Sequence, residues 1–310
     1  SLLIGELFVD SDDYFLLDIR GESINIYILL LSILKKPSLN IKKIYKNYIQ
    51  TFITFINPEY VITFNDTNPF LLSLNLLKNT NFLIFQNGYR YKEISYKNIN
   101  SKSNLHFFTI TKSRADFLKS QHSLKAYPIG SVLSNLVPKV QAVDENKIVF
   151  ISQYRIKTNR NKLYYYDGLN HSQVYKYEIR ILKVLINILK RTKYKLIIFG
   201  ARSEDESIEE YEFYKNYVDN KNIFFRKNIK KNNEKFDFLD SASFIVGLDS
   251  TLLYECLGRG KKTFFASCRG SIEFGNSLNP FFHPFEKEDY GLYWLNIFSE
   301  EKLSKMLTNF

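Results

Sequence analysis

Short apolar runs alternate with stretches of helical periodicity along most of the chain. The runs rich in β-branched and aromatic residues, which predict strands, are 60–64, 81–85, 106–110, 125–129, 147–151, 195–199, 222–225, 243–247 and 262–265. Between them, apolar positions recur at helical spacing, most clearly in 174–189, 208–218 and 251–257. Strands that alternate with helices are typical of a parallel sheet with helices on its faces. The pattern therefore predicts an α/β protein.

Two helices are predicted before the first strand. In 41–53 the apolar residues recur three and four positions apart, which indicates an amphipathic helix that packs on the first sheet. The stretch 24–34 is almost continuously apolar, but it has about half of the ~20 residues that a membrane span needs. We therefore predict a buried helix there.

The length of the chain predicts two domains. Its 310 residues exceed the size of most single-core domains. The segment 138–146 is polar, lacks periodicity and precedes a new strand, as expected of a linker. The predicted domains are therefore 1–137 and 147–310. The simplest arrangement is two Rossmann-like domains with a cleft between them.

Composition narrows the class of protein. Hydrophobic residues make up 45% and charged residues 24%, which excludes a disordered chain. The net charge of +11 favours an anionic partner. The partner could be nucleic acid, an acidic membrane surface or a phosphate-bearing substrate, and the sign of the charge does not distinguish among them. Cys256 and Cys268 have no metal-ligand spacing, so we expect neither a disulfide nor a zinc site, and a cytoplasmic location.

The strongest chemical signal follows the predicted strand 243–247. A small polar turn, Asp249-Ser250-Thr251, opens a helix that carries Glu255. The N-terminus of a helix offers unpaired N–H groups and partial positive charge to a phosphate, and a carboxylate further along can accept from ribose hydroxyls. The alternative is structural: Asp249 or Ser250 caps the helix, and Glu255 is a surface charge.

This block resembles the nucleotide-sugar motif of GT-B glycosyltransferases. The resemblance is to surface-carbohydrate biosynthesis transferases with an Asp-Ser-Thr-Leu-x-Tyr-Glu helix, here residues 249–255. A second match is Gln86-Asn87-Gly88, where related families have a Gln-Asn-Gly or Gln-His-Gly turn. Asn87 cannot act as a base at neutral pH and would orient substrate instead. An ordinary turn is the alternative for Asn87.

Four further residues are candidates for the chemistry. Asp66 follows the strand 60–64 and is the candidate base or acceptor-binding carboxylate, unless it caps a following helix. Gly200 and Arg202 follow the strand 195–199. Arg202, together with Arg155 at the start of the second domain, could neutralise a departing diphosphate. Because these cations could stabilise the leaving group without a metal, we expect metal independence and no cofactor.

The resemblance implies a glycosyltransferase that moves a sugar from a nucleotide donor to a surface glycan or lipid-linked acceptor. The donor would bind the second domain, and the positive charge would favour peripheral association with an anionic membrane. A polyol-phosphate transferase, a sugar-nucleotide epimerase of related fold and a noncatalytic nucleotide- or glycan-binding protein are the alternatives. A nucleic-acid partner is not expected, because no recognised motif supports it.

Overall fold

The computed structural model describes part of the chain. The described residues are 24–66, 74, 79–88, 104–141, 143–154, 171–190, 192–202, 206–217, 223–268, 273–274, 277–278, 289–290, 293–295 and 297–308. The chain forms two compact units, Ser1–Ile129 and Gly130–Phe310. Each unit is built around its own sheet, which is parallel in the first unit and parallel except for one edge pair in the second.

The first unit contains a four-stranded parallel sheet in the order β1-β2-β3-β4. Its elements are α1 (Ile26–Lys35), α2 (Ile41–Ile56), β1 (Tyr60–Thr63), β2 (Asn81–Phe85), β3 (Leu105–Thr109), α3 (Lys112–His122) and β4 (Lys125–Pro128). The predicted amphipathic helix is α2, whose Tyr48, Ile49 and Ile53 join the core of this unit. Asn40 caps its first turn, and Asn57 ends it in the left-handed conformation.

The helix α1 differs from its prediction as a buried helix. It forms, but Leu30 is 55% and Leu34 is 79% exposed, and only Ile28 and Ser32 are buried among its residues. The reason is that α1 is apolar on every side, whereas its contact with the core uses one stripe. No helix within the described residues is long and apolar enough to cross a membrane.

The second unit contains a seven-stranded sheet in the order β12-β13-β9-β8-β5-β6-β7. Its elements are α4 (Val132–Asn135), β5 (Asp144–Ile151), α5 (His171–Leu189), β6 (Lys195–Phe199), α6 (Glu206–Lys215), β7 (Ile223–Arg226), α7 (Asn232–Asp240), β8 (Ala242–Gly247), α8 (Thr251–Gly258), β9 (Thr263–Phe265), β10 (Glu273–Phe274), β11 (Ser277–Leu278), β12 (Asp289–Tyr290), β13 (Trp294–Leu295) and α9 (Glu300–Thr308). Each strand predicted from the apolar runs is present. The short strands after β9 were not predicted.

The strand order of this unit determines where a ligand can bind. Counted from β5, the first five strands lie in the order 3-2-1-4-5, the doubly wound order of Rossmann-like domains. The strand order reverses between β5 and β8, which pair in parallel. In such sheets the loops at the carboxyl ends of these two strands diverge and leave a crevice for ligands. Residues 148–151 of β5 are fully buried, as expected for a central strand covered on both faces.

The boundary between the units lies earlier than the predicted linker. The segment from Gly130 onward belongs to the second unit because it is bonded to that unit through Arg259. The guanidinium donates to the carbonyls of Ser134, Val137 and Pro138 at 2.7 to 3.0 Å. It also forms a two-point ion pair with Asp240 at 2.9 and 2.5 Å. Each N–H of the guanidinium therefore has an acceptor.

We expect Arg259→Met to destabilise the second unit by about 3–5 kcal/mol, because it leaves the Asp240 carboxylate buried without its partner. Arg259→Lys should also destabilise, since one ammonium cannot serve this set of acceptors. The measurement is the free energy of unfolding in urea. The control is Glu234→Gln, which breaks an exposed ion pair with Lys231 and should have little effect. An equally small loss for Arg259→Met would contradict this account.

Candidate functional site

The loops that follow β5 and β8 meet at the point where the strand order reverses. Ser152, Gln153 and Tyr154 follow β5, and Asp249 and Ser250 lie between β8 and α8. The amide Nε2 of Gln153 donates to Oδ1 of Asp249 at 3.0 Å and joins the two loops. The predicted phosphate turn therefore lies at the position that a doubly wound sheet favours for a ligand.

The close packing of these loops depends on Gly247, the last residue of β8. A Cβ added at this position would lie 3.0 Å from the carbonyl oxygen of Ile151 and 3.0 Å from Cδ1 of Leu253. The missing side chain therefore lets β8 and the first turn of α8 approach the end of β5. The position of the helix N-terminus depends on this approach.

The turn before α8 has the geometry of a helix cap. Ser250 is extended and its Oγ accepts from the N–H of Leu252 at 3.4 Å. The helix begins at Thr251. Capping and phosphate binding are compatible, because a helix N-terminus has several N–H groups and one side chain does not satisfy them all. The structural alternative for Ser250 thus describes its geometry without excluding a ligand.

Glu255 is not a surface charge. The hydroxyl of Ser131 donates to its Oε1 at 2.6 Å. Burial raises the pKa of Glu255, while the Ser131 hydrogen bond and the charges of Lys235 and Arg259 act in the opposite direction. A ribose hydroxyl that used Glu255 would therefore have to share this carboxylate with Ser131. The predicted role of Glu255 stays a prediction.

Gly200 and Arg202 lie in the loop after β6, which a carboxylate already occupies. Glu210 of α6 accepts from the N–H groups of Ala201 at 2.9 Å and Arg202 at 3.1 Å. A Cβ at Gly200 would lie 2.9 Å from Oε2 of Glu210 and 2.9 Å from the ring of Phe225. Gly200 therefore makes room for these two side chains. Arg202 is half-buried. Burial raises the pKa of Glu210, and the positive charge of Arg202 opposes this rise.

A buried polar cluster lies beneath the β5 loop. It joins Glu178 of α5, Glu210 and Tyr214 of α6, and Ser152 of the loop, all at most 3% exposed. The N–H of Gln153 donates to Oε1 of Glu178 at 2.7 Å. Burial raises the pKa of Glu178 to about 8 against the lowering effect of its hydrogen bonds.

None of these cluster residues was predicted. The feature of the sequence that could have indicated the cluster is a carboxylate at a position within the apolar stripe of a predicted helix. Glu178 lies between Tyr177 and Ile181 on the buried face of α5. Glu210 and Tyr214 are four positions apart on α6, so they share one face. A charged residue in such a stripe indicates a buried polar network.

In the first unit, Asp66 is buried and Asn87 is exposed. The turn that holds Asn87 is positioned by Gln86, the first residue of the Gln-Asn-Gly match, to which the sequence assigned no role of its own. The Gln86 side chain accepts from the N–H of Ile110 at 3.0 Å and donates to the carbonyl of Gly88 at 2.7 Å. Gln86 thus ties the turn after β2 to the end of β3.

Two predictions fall on residues that the structure does not describe. Arg155, a candidate for neutralising the diphosphate, lies outside the described residues, as does the segment that Asp66 would cap. Among the described residues, no group of three or more His, Cys, Asp or Glu side chains could hold a metal ion. The buried hydroxyl of Ser267, which follows β9, has no hydrogen-bond partner within the described part of the chain.

Residues 83–310 match the profile of a protein family described as "putative O-antigen biosynthesis protein". The chain belongs to this family. The match begins within β2 and includes the whole second unit, so it covers both Asn87 and the loops after β5 and β8. Among curated proteins, none matches the sequence.

Solved structures share the fold of this family member at low sequence identity. The first is a "putative UDP-N-acetylglucosamine 2-epimerase" from Listeria monocytogenes, with a TM-score of 0.52, 13% identity, and coverage of 94% of this chain and 73% of that one. The second is UDP-GlcNAc 2-epimerase from Methanocaldococcus jannaschii, with a TM-score of 0.51, 12% identity, and coverage of 99% and 81%. A glycosyltransferase from Rickettsia africae ESF-5 has a TM-score of 0.48, 13% identity, and coverage of 100% and 77%.

The fold class predicted from the sequence is confirmed. The chain has two α/β units with predominantly parallel sheets, it shares its fold with the first two of these structures, and it belongs to a surface-carbohydrate family with the GT-B type of fold. Identities of 12 and 13% support the fold and leave the reaction open.

We expect Gly247→Ala to destabilise the second unit by about 1–3 kcal/mol, because the new Cβ would meet the backbone carbonyl of Ile151, which cannot turn away. Gly258→Ala is the matched control. It lies at the end of α8 with nothing within 4 Å of an added Cβ. Thermal denaturation of the two variants compares them directly. Equal melting temperatures would show that Gly247 is not needed for the close approach.

Proposed function

We propose that this protein is a glycosyltransferase that takes its sugar from a nucleotide donor bound in the second unit. The observation that carries the proposal is the contact between Gln153 and Asp249, which joins the two loops at the reversal of the strand order next to the N-terminus of α8. Membership of an O-antigen biosynthesis family supports a sugar as the transferred group. The acceptor would be a surface glycan or a lipid-linked sugar.

The donor diphosphate would lie at the N-terminus of α8. Ser250 and Thr251 offer hydroxyl and backbone donors there, and the helix dipole favours negative charge. Glu255 would accept from the ribose. The buried hydroxyl of Ser267 supports a ligand near the end of β9.

The chemistry needs stabilisation of the leaving nucleoside diphosphate. Fixed N–H groups at the helix N-terminus supply it without rearranging, and Arg202 and Arg155 would add positive charge. The proposal requires no metal ion. In the first unit, the buried carboxylate of Asp66 would act as base or bind the acceptor, and Asn87 would orient it by hydrogen bonds.

The donor site is tested by a pair of substitutions at the helix cap. Ser250→Asp and Ser250→Asn both retain a capping side chain. Only the aspartate adds negative charge where the diphosphate would bind. We expect Ser250→Asp to weaken binding of UDP or the preferred nucleoside diphosphate about tenfold or more, as a loss of about 1.4 kcal/mol would. Ser250→Asn should bind within about threefold of the wild type, since it is a neutral cap of similar strength.

Isothermal titration calorimetry against UDP, GDP, CDP and dTDP measures these affinities and identifies the base. Equal affinities for the two variants would place the nucleotide elsewhere. No binding of any nucleotide to the wild type would remove the donor site.

An epimerase is the second candidate, because two solved structures that share the fold, with TM-scores of 0.52 and 0.51, are described as a "putative UDP-N-acetylglucosamine 2-epimerase" and a UDP-GlcNAc 2-epimerase. The two reactions differ in their products. A transferase releases the nucleoside diphosphate, whereas an epimerase returns a nucleotide sugar. NMR spectra of the protein incubated with nucleotide sugars identify the product and so distinguish the two reactions. The same spectra recorded with EDTA test whether the reaction needs a metal ion. Binding without turnover over a range of acceptors would favour the noncatalytic alternative.

Peripheral membrane association is part of the proposal, and α1 offers a surface for it. Tyr27, Leu30 and Leu34 are exposed on this helix, and Lys35 and Lys36 follow at its end. An exposed apolar helix with adjacent lysines suits the interface of an anionic bilayer. A lipid-linked acceptor would be reached at such an interface.

We expect the protein to co-sediment with vesicles that contain phosphatidylglycerol more than with pure phosphatidylcholine, because the lysines favour negative charge. Leu30→Glu combined with Leu34→Glu should abolish the difference. The control is Ile208→Glu, which changes an exposed apolar residue of the second unit. If the double variant still sediments like the wild type, α1 is not the membrane surface.

A further inference from the structure

Four buried side chains form one line of hydrogen bonds below the β5 loop. Oε1 of Glu210 lies 2.5 Å from Oγ of Ser152. That oxygen lies 2.7 Å from the hydroxyl of Tyr214. The Tyr214 hydroxyl lies 2.8 Å from Oε2 of Glu178. The line therefore begins and ends on a carboxyl group.

The number of hydrogens in this line shows that one carboxyl group is protonated. Its three oxygen–oxygen contacts each need one hydrogen, whereas the hydroxyls of Ser152 and Tyr214 supply two. No backbone N–H can replace the missing hydrogen, because each contact joins two oxygens. The third hydrogen must come from Glu178 or Glu210.

The surroundings of the two carboxyl groups are unequal. Glu210 accepts from the hydroxyl of Ser152 and from the N–H groups of Ala201 and Arg202, and it lies near the charge of Arg202. Glu178 accepts from one N–H, that of Gln153. Donors and positive charge favour the ionised form of a carboxyl group. The proton therefore belongs to Glu178.

With the proton there, all the hydrogen bonds run in one direction. Glu178 donates to Tyr214, Tyr214 donates to Ser152, and Ser152 donates to Glu210. The Ser152 oxygen then accepts from Tyr214 and from the N–H of Tyr154 at 2.9 Å, which uses both of its lone pairs. No donor faces another donor.

We propose that Glu178 is a positioning residue that acts in its protonated form to hold Gln153, and through it Asp249, in the arrangement that binds the nucleotide donor. The effect on donor binding rests on the proposed function. One oxygen of Glu178 holds the backbone of Gln153 while the other joins the line to Tyr214. The side chain of the same Gln153 holds Asp249.

Ionisation of Glu178 would disrupt this arrangement. It would add a negative charge to a site that already faces the carboxylates of Glu210 and Asp249, and Glu209 is hydrogen-bonded to the nearby Tyr154. Arg202 is the facing positive charge, and it lies against Glu210. Burial raises the pKa of Glu178 to about 8, in agreement with the hydrogen count. Donor affinity should therefore fall as the pH rises through about 8.

Amide substitutions locate the proton. Glu178→Gln supplies an N–H for Tyr214 and a carbonyl for Gln153, as the protonated acid does, and it has no proton to take up on folding, so its melting temperature at pH 7 should be at least as high as that of the wild type. Glu210→Gln has one carbonyl oxygen for three donors, so its melting temperature should fall by about 5 °C or more. Glu212→Gln, on the exposed face of the same helix, is the control. The opposite order, with Glu178→Gln the less stable, would overturn the proposal.

Infrared spectroscopy gives a second measurement that does not depend on stability. The C=O stretch of a buried protonated carboxyl should be present in the wild type at pH 7 and absent in Glu178→Gln. Its persistence in Glu178→Gln would overturn the assignment.

The pH dependence completes the test. Between the ordinary carboxyl pKa of 4.5 and about 8, the folded protein holds a proton that the unfolded chain releases. The stability of the wild type relative to Glu178→Gln should therefore fall as the pH rises through this window and level off above it. A constant difference would contradict the proposal.

Titration calorimetry with UDP, or with whichever nucleotide binds, should show affinity falling severalfold from pH 7 to 9 in the wild type and much less in Glu178→Gln. Equal falls would overturn the positioning role. If no nucleotide binds at all, the proposed function fails, while the melting temperatures and the infrared band still decide where the proton is.

Discussion

The buried guanidinium of Arg259 fixes the part of the second unit on which the candidate site depends. It joins the end of α7, through Asp240, to the segment 134–138 and to the end of α8. A buried charge is costly unless its hydrogen bonds are complete, and those of Arg259 are complete. The same contacts keep Ser131 close enough to donate to Glu255.

The helix α8 is therefore held at both ends. Its last turn leads into Arg259, and its first turn lies against the end of β5. This close approach leaves no room for a side chain at position 247, which is a glycine. The loop before it is tied to the β5 loop by Gln153. A binding group that is already in place loses little entropy when its ligand arrives. The helix N-terminus has this property, because the contacts that position it are made within the protein.

Local patterns in the sequence predicted the strands, most of the helices and the turn at Asp249 and Ser250 that opens α8. Each of these depends on neighbours along the chain: a run of apolar residues is enough for a buried strand, and Ser250 is one residue from the helix that it caps. The segment 138–146 also looked like a linker for local reasons. Its attachment to the second unit depends on Arg259, more than 110 residues further along.

The acid cluster could not be predicted in the same way. Glu178 lies within an apolar helical stripe, but nothing along the chain relates it to Glu210, which is 32 residues further on. Only the strand order places both under the loop after β5, where Ser152 and Tyr214 join them. The exposed apolar side chains of α1 show the reverse case, in which composition indicated burial and the helix contacts the core through one narrow stripe.

The way in which Arg259 recognises its neighbours has a consequence for how this sequence can diverge. The guanidinium contacts backbone carbonyls of Ser134, Val137 and Pro138, which every amino acid can supply. Mutations that change those side chains leave the acceptors in place, whereas Arg259 and Asp240 must change together or not at all. Drift in the segment where the second unit begins should therefore be tolerated, and we expect this pair of residues to change only together.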